Sequence, residues 1–124
     1  NDDTVVTVIE DNESDENYEP LRENLEILKI QKLEDGNPLN IIELPMPKAR
    51  SYKGQRLPMS YANFYISNKY VITPVFGDPN DTVALEILKD CFPFRKVVGI
   101  DSTDLIWGFG SFHCLSQQEP KLKA

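Results

Sequence analysis

Tyr61-Ala62-Asn63-Phe64-Tyr65-Ile66-Ser67-Asn68-Lys69-Tyr70-Val71-Ile72-Thr73-Pro74-Val75-Phe76 is the stretch that decides the architecture. Its two halves, 61–66 and 70–76, are rich in the aromatic and β-branched residues that suit a pleated, half-buried surface. Between them Ser67-Asn68-Lys69 reads as a hairpin turn. Asp78-Pro79 then opens a helix, the aspartate as cap and the proline at the first helical position. That helix runs to about Cys91 and stops at Phe92-Pro93, and Lys96-Val97-Val98-Gly99-Ile100 is the next strand. The order is strand-strand-helix-strand.

The N-terminal half carries the same order without its first member. Val5-Val6-Thr7-Val8-Ile9 reads as a buried strand. An acidic loop follows, and Ser14 is placed to cap a helix whose first turn holds Asp15 and Glu16, favourable at the positive end of the helix dipole. Leu21, Leu25, Leu28 and Ile30 to Leu33 supply its apolar stripe, and Asp35-Gly36-Asn37-Pro38 ends it. Ile41-Ile42-Glu43-Leu44 is the second strand, closed by Pro45 and Pro47. Set side by side, Val5-Val6-Thr7-Val8 matches Val71-Ile72-Thr73-Pro74. Leu25-Glu26-Ile27-Leu28-Lys29 matches Leu85-Glu86-Ile87-Leu88-Lys89, and Ile41-Ile42 matches Val97-Val98.

Such repeats signal modular architecture, although plain alternation in an α/β protein gives a similar pattern. The expected fold class is α/β, made of ββαβ modules, the first truncated at an opening strand that would lie just before Asn1. The chain divides into a partial βαβ module over 1–47, a loop over 48–57, a ββαβ module over 58–101 and a C-terminal segment over 102–124. Ser51, Gly54 and the flanking Pro58 make the polar run from Lys48 to Gln55 a surface loop.

Composition narrows the partners. At 40% hydrophobic and 27% charged residues the chain has the make-up of a soluble globular protein, and its 124 residues can bury one core of ordinary size. A net charge of −7 argues against nucleic acid or an anionic membrane surface, both of which need a basic footprint. It is compatible with a small cationic ligand, yet surface acidity that maintains solubility explains it as well, and much of the acid lies between Glu10 and Glu19. No apolar run approaches membrane-spanning length, and no signal peptide is evident at the start. The chain opens on Asn1-Asp2-Asp3 rather than Met, so that absence carries little weight. Two cysteines do not make a secreted disulfide framework, and free thiols suit a reducing, cytoplasmic setting. Cys91 shares a helix face with Ala84, Ile87 and Leu88 and reads as a small buried hydrophobe.

Cys114 has a different setting. It follows the only histidine, His113, in Gly108-Phe109-Gly110-Ser111-Phe112-His113-Cys114-Leu115-Ser116-Gln117-Gln118. A cysteine after glycines that allow close backbone approach suits attack on a planar, cationic carbon. Only the thiolate is nucleophilic, so a base or a lowered thiol pKa is required. On an extended segment His113 and Cys114 would point to opposite faces, which makes His113 a poor proton-transfer partner. Taken alone, the dipeptide is as well explained by a structural cysteine. One histidine and two separated cysteines do not supply zinc spacing.

The run resembles the C-terminal motif of the agmatine deiminases, Gly-Gly-Gly-Asn-Ile-His-Cys-Ile-Thr-Gln-Gln followed shortly by Pro. Gly108, Gly110, His113, Cys114, Gln117, Gln118 and Pro120 match it. Arg56-Leu57-Pro58, Ser60-Tyr61, Asn63-Phe64-Tyr65, Pro74, Phe76, Asp78, Asp81 and Val97 to Asp101 also fall where that family has those residue types. The resemblance is close from Arg56 to Pro120 and looser from Val5 to Pro47. It implies a pentein fold, a fan of ββαβ modules around a central channel (an α/β propeller), of which this chain is a part. The implied reaction is hydrolysis of agmatine to N-carbamoylputrescine and ammonia, with Cys114 as nucleophile, a covalent thiouronium intermediate and no metal or organic cofactor. Gly108, Gly110 and Ser111 would line the guanidinium site. Phe109 in place of the central glycine and Ser111 in place of asparagine are departures that bear on substrate preference.

In that family a histidine from a His-x-Asp segment moves protons and carboxylates clamp the guanidinium, an arrangement suited to bidentate pairing. Neither motif is found in this sequence. Asp2 and Asp3 are not preceded by a histidine and take no such role. The resemblance therefore implies a missing upstream portion of the same enzyme and no turnover by this segment alone; oligomeric state is left open, a homo-oligomer included. Two other readings stand beside it. One is a bacterial-type peptidylarginine deiminase with a wider entrance, and the other a non-catalytic α/β binding module with an inert Cys114. Trp107 reads as a core or interface aromatic more readily than as a wall of the substrate mouth. Asn63-Phe64-Tyr65 reads as a strand anchor. Asp78 and Asp81 read as helix-start residues, and Gln117 and Gln118 as ties from the last segment to neighbouring backbone.

Overall fold

The β-branched run Thr4–Ile9 forms β1, and helix α1 (Tyr18–Ile30) returns the chain so that β2 (Asn40–Pro45) lies parallel to it. Residues 3–120 are described by the structure, a computed structural model; Asn1, Asp2 and 121–124 lie outside the described residues. After two short strands, β3 (Ser51–Tyr52) and β4 (Gln55–Arg56), the second unit begins. Its β5 (Tyr65–Ile66) and β6 (Tyr70–Val75) are antiparallel, α2 (Asn80–Cys91) crosses over, and β7 (Lys96–Asp101) pairs parallel to β6. A 3-10 helix, Leu105–Gly108, follows.

The register repeats as the sequence does. Val5 sits opposite Ile41 in the first pair and Val71 opposite Val97 in the second, the same residues that align between the two halves. The second sheet has the order β5-β6-β7, and the first is the pair β1-β2. Helix α2 touches both β7 and β2, so it joins the two units. Ala84 and Leu88 enter one core with Leu44, Tyr61, Phe76 and Ile106. Burial of a side chain such as Leu44 or Leu88, both fully enclosed, contributes about 2 kcal/mol relative to exposure. On the other side of α2, Leu85 packs so closely on β7 that a Cβ at Gly99 would lie 2.9 Å from Val75 Cγ1 and 3.0 Å from Leu85 Cδ1.

Both units carry a buried threonine at the same place. Asn24 Nδ2 on α1 donates to Thr7 Oγ1 at 3.1 Å. The position matching Asn24 on α2 is Ala84, and among the described residues the fully buried Thr73 Oγ1 has no hydrogen-bond partner.

Several expectations are corrected. Ser14 does not cap α1, which begins at Tyr18 with Asn17 as its flanking residue. Asp15 Oδ1 instead accepts from Asn17 N at 2.9 Å and from Arg56 Nη1 at 2.7 Å, so a partner 41 residues away holds this loop out of the helix. The Arg56 guanidinium and then the Asn17 N–H hold the Asp15 carboxyl below its ordinary range. At its other end α1 stops at Ile30, because Lys32 bridges to Pro38 around the Asp35-Gly36-Asn37 turn. The loop expected over 48–57 contains the β3–β4 hairpin, whose Lys53-Gly54 turn places both residues at positive φ, 49° and 80°, as tight hairpins favour.

The strand expected over 61–66 contracts to Tyr65–Ile66. Ser60 closes a turn in its place, its Oγ accepting from Ala62 N at 3.2 Å and its carbonyl from Asn63 N at 3.3 Å. The start of α2 lies one residue later than read, with Pro79 as the flanking residue and Asn80 the first of the helix. Asp78 Oδ1 accepts from Asn80 N at 2.9 Å, and Asp81 reaches back to Asp78 N at 3.0 Å, a reciprocal capping pair. Asp81 also accepts from Phe76 N and, at 2.7 Å, from the hydroxyl of the buried Tyr61. Burial first, and then that bond to a carboxylate, push the Tyr61 phenol far above its ordinary range. Tyr61 is a neutral structural donor.

Candidate active site

The segment after β7 is anchored before it reaches the cysteine. Ser102 N donates to Val75 O at 2.9 Å, extending the β6–β7 ladder by one rung, and Ser102 O accepts from Ile106 N at 3.0 Å. Ile106 is buried in the core and fixes the 3-10 helix. The helix is closed by Phe109, held at φ 62° and ψ 25°, the left-handed region. Residues 111–116 then form a tight turn in which Leu115 N donates to Ser111 O and Ser116 N to His113 O, each at 3.1 Å.

Cys114 is exposed and unbridged in this turn. Asn63, just ahead of β5, meets it through both ends of its amide. Nδ2 donates to Cys114 Sγ at 3.0 Å, and Oδ1 accepts from Cys114 N at 3.2 Å. The Asn63 backbone carbonyl also accepts from His113 N at 3.3 Å. On the other side a Cβ built on Gly110 would lie 2.9 Å from Cys114 Cβ and 3.6 Å from Sγ, so only glycine permits this approach. An amide N–H aimed at a sulfur interacts more strongly with a thiolate than with a thiol. The arrangement can present an accessible sulfur nucleophile.

The expected site residues divide. Cys114 and Gly110 are in direct proximity, whereas Gly108 ends the 3-10 helix with nothing within 4 Å of a Cβ built there. Ser111 is fully buried, and its hydroxyl lies 2.7 Å from that of the equally buried Ser102. The segment around His113 is a turn rather than extended, so the opposite-faces argument lapses. Among the described residues the exposed imidazole of His113 nonetheless makes no hydrogen bond to Cys114. No tie from Gln117 or Gln118 to backbone is found among the described residues. Trp107 is half-exposed and packs on Tyr52 of the hairpin, ring centres 3.9 Å apart.

Asn63 was not legible as a site residue. An asparagine at the head of an aromatic run is a poor strand former, and that was one signal beside the family match at Asn63-Phe64-Tyr65. Cys91 is half-buried, and burial, aided by Asp90, pushes its thiol up and away from nucleophilic character. It borders a cleft of about 730 Å³ between the two units, walled by Val6, Ile42, Phe64, Ile66 and Ile87. That cleft does not include Cys114. Among the described residues no three His, Cys, Asp or Glu side chains are grouped to hold a metal ion, and no helix is long and apolar enough to cross a membrane.

Fold and site together define a mixed α/β protein that presents a cysteine on a turn beyond a parallel strand. Parallels in sequence and in shape agree on one family. The sequence model of Porphyromonas-type peptidyl-arginine deiminases matches residues 1–120. The chain belongs to that family. A Legionella pneumophila (strain Paris) protein provisionally named agmatine deiminase is 36% identical over 118 residues, covering 94% of this chain and 34% of that protein. A Porphyromonas gingivalis structure provisionally named an arginine deiminase superposes with a TM-score of 0.94 at 38% identity, over 98% of this chain and 36% of that one. The agmatine deiminase of Enterococcus faecalis superposes with a TM-score of 0.91 at 29% identity, over 96% of this chain and 37% of that one. The chain thus spans about a third of the length of the curated relatives it matches.

Proposed function

We propose that this chain is the nucleophile-bearing part of a guanidine-modifying hydrolase that converts agmatine and water to N-carbamoylputrescine and ammonia. The observation that carries the reading is the exposed Cys114 sulfur with the Asn63 amide donating to it at 3.0 Å. The agmatine deiminase names of its relatives support the substrate. In this reading the Cys114 thiolate adds to the guanidinium carbon. The bond to one terminal nitrogen breaks, and that nitrogen takes up a proton and leaves as ammonia. Water then adds to the carbon of the thiouronium intermediate and gives up both its protons as the carbon–sulfur bond breaks, which returns the thiolate and releases the urea product. Water is the only co-reactant.

Among the described residues His113 makes no hydrogen bond to the sulfur, so in this reading the proton carrier and the guanidinium-pairing carboxylates come from elsewhere in the complete protein. The units described above would then be modules of a pentein propeller, and the 124-residue segment alone would release no ammonia. The test is Cys114→Ser in the complete protein, assayed for ammonia release from agmatine. Activity falls to background and no adduct forms at position 114; retained turnover removes Cys114 from the nucleophile role. A second reading, action on peptidyl-arginine, is favoured by the openness of the Cys114 turn and by the family's own description. Citrulline formation from an arginine peptide, compared with agmatine turnover, decides between them.

A further inference from the structure

We propose that the buried hydroxyl pair Ser102–Ser111 positions the Cys114 thiol, a role that rests on the reading of Cys114 as nucleophile. Both side chains are fully excluded from solvent, and their oxygens are 2.7 Å apart. Each serine belongs to a different part of the frame. Ser102 is tied by its N–H to Val75 O and by its carbonyl to Ile106 N, so it moves with the sheet and the core. The Ser111 carbonyl accepts from Leu115 N, the bond that closes the turn around Cys114. The hydroxyl pair is therefore the side-chain link between the end of β7 and the turn that carries the sulfur.

Asn63 holds the turn at His113 and Cys114, whereas the hydroxyl pair holds its first residue, Ser111. Without the pair, rotation of the turn about Gly110 would draw Sγ away from Asn63 Nδ2. A buried hydroxyl bond of this kind has a modest net strength, but an orphaned partner is costly, so the two serines should act as one unit. They touch no reacting atom, which makes them positioning residues.

The experiment uses the complete protein with Ser102→Ala, Ser111→Ala and the double variant. It measures kcat and KM on agmatine, and the rate at which iodoacetamide labels Cys114, located by peptide mass mapping. Loss of alignment at the sulfur lowers kcat about tenfold in each single variant, because small misplacements of a reacting group are expensive. KM stays within about twofold, since substrate binding is left in place. Labelling of Cys114 changes in step with kcat, and the double variant loses no more than either single one.

Wild-type kcat and labelling with only a lowered Tm would overturn the proposal, as would losses that multiply in the double variant. Should the single variants fail to fold, the double variant, which leaves no orphaned hydroxyl, carries the same measurements. Failure of all three to fold assigns the pair to the fold and also overturns it. The labelling rate needs no turnover, so a Cys114→Ser variant that kept activity would sink the nucleophile reading while the positioning of the thiol was still decided.

Discussion

Asn63 grips Cys114 through both ends of its side-chain amide, Nδ2 on the sulfur at 3.0 Å and Oδ1 on the Cys114 N–H at 3.2 Å. One residue therefore sets both where the Cys114 backbone lies and what its sulfur faces. Replacing the donor with a carboxylate oxygen keeps the size and opposes a thiolate with a like charge. Asn63→Asp in the complete protein is expected to lower kcat about 10²-fold or more, on the scale seen when a preorganised donor is removed. Steady-state kinetics on agmatine checks this, and a change under threefold would show that the amide serves the turn alone.

Gly110 and Gly108 should respond differently to one added methyl. At Gly110 the new Cβ meets Cys114 Cβ at 2.9 Å, so the turn must shift, and Gly110→Ala should cut kcat at least tenfold, as misalignment does. At Gly108 nothing lies within 4 Å, so Gly108→Ala should leave the unfolding midpoint unchanged. Kinetics on the first and thermal unfolding of both give the comparison.

Phe109 occupies the one position of the motif where the backbone asks for glycine. Its φ of 62° is in the left-handed region, which costs a bulky residue about 1 kcal/mol. Because the ring is half-exposed, little packing is lost on its removal. Phe109→Gly should stabilise the protein by about 0.5 kcal/mol once the greater freedom of the unfolded chain is counted. Denaturant unfolding measures the sign.

Thr73 and Thr7 form a natural pair of opposites. Among the described residues the buried Thr73 hydroxyl has no partner, so Thr73→Val removes an unsatisfied group at nearly constant volume and should stabilise by about 1 kcal/mol. Thr7→Val breaks the bond from Asn24 and should destabilise by a similar amount, about 1 kcal/mol. The same chemical change with opposite signs is the diagnostic result.

The Asp15–Arg56 pair gives stability a pH dependence. The folded pKa of Asp15 is depressed, so its contribution is present above the unfolded carboxylate value of about 3.9 and fades as pH falls through the lower folded value. Asp15→Asn should cost about 2 kcal/mol at pH 7, as a hydrogen bond to a charged partner does. The difference from wild type should shrink as the pH is lowered below about 4. A difference that stayed constant down to acid pH would exclude the ionised pair as its source.

Much of the architecture was legible because it rests on local chemistry and on repetition. Asp78-Pro79 announces the start of α2 because a capping carboxylate and a fixed φ act within one turn. The alignment of Val5 with Val71 and of Ile41 with Val97 emerges unchanged as the register of two parallel pairs, since alternation of apolar side chains sets which residues can face each other. The motif around Cys114 could be read for the same reason: its residues are contiguous.

What the sequence by itself determined, then, was the order of the main strands and helices and the doubling of the unit. Only the tertiary structure decided which side chains meet Cys114. Asn63 stands 51 residues away in sequence and reaches the sulfur because β5 and the end of β7 flank the same sheet strand. Arg56 keeps Asp15 out of α1 from 41 residues away, against a local preference for a cap. Ser111, placed in the site by its motif, turns inward because Ser102 offers its hydroxyl the one partner it finds in the interior. A short-range pattern specifies backbone conformation through steric and capping preferences, whereas the partner of a buried polar group is chosen by what the folded chain brings within about 3 Å.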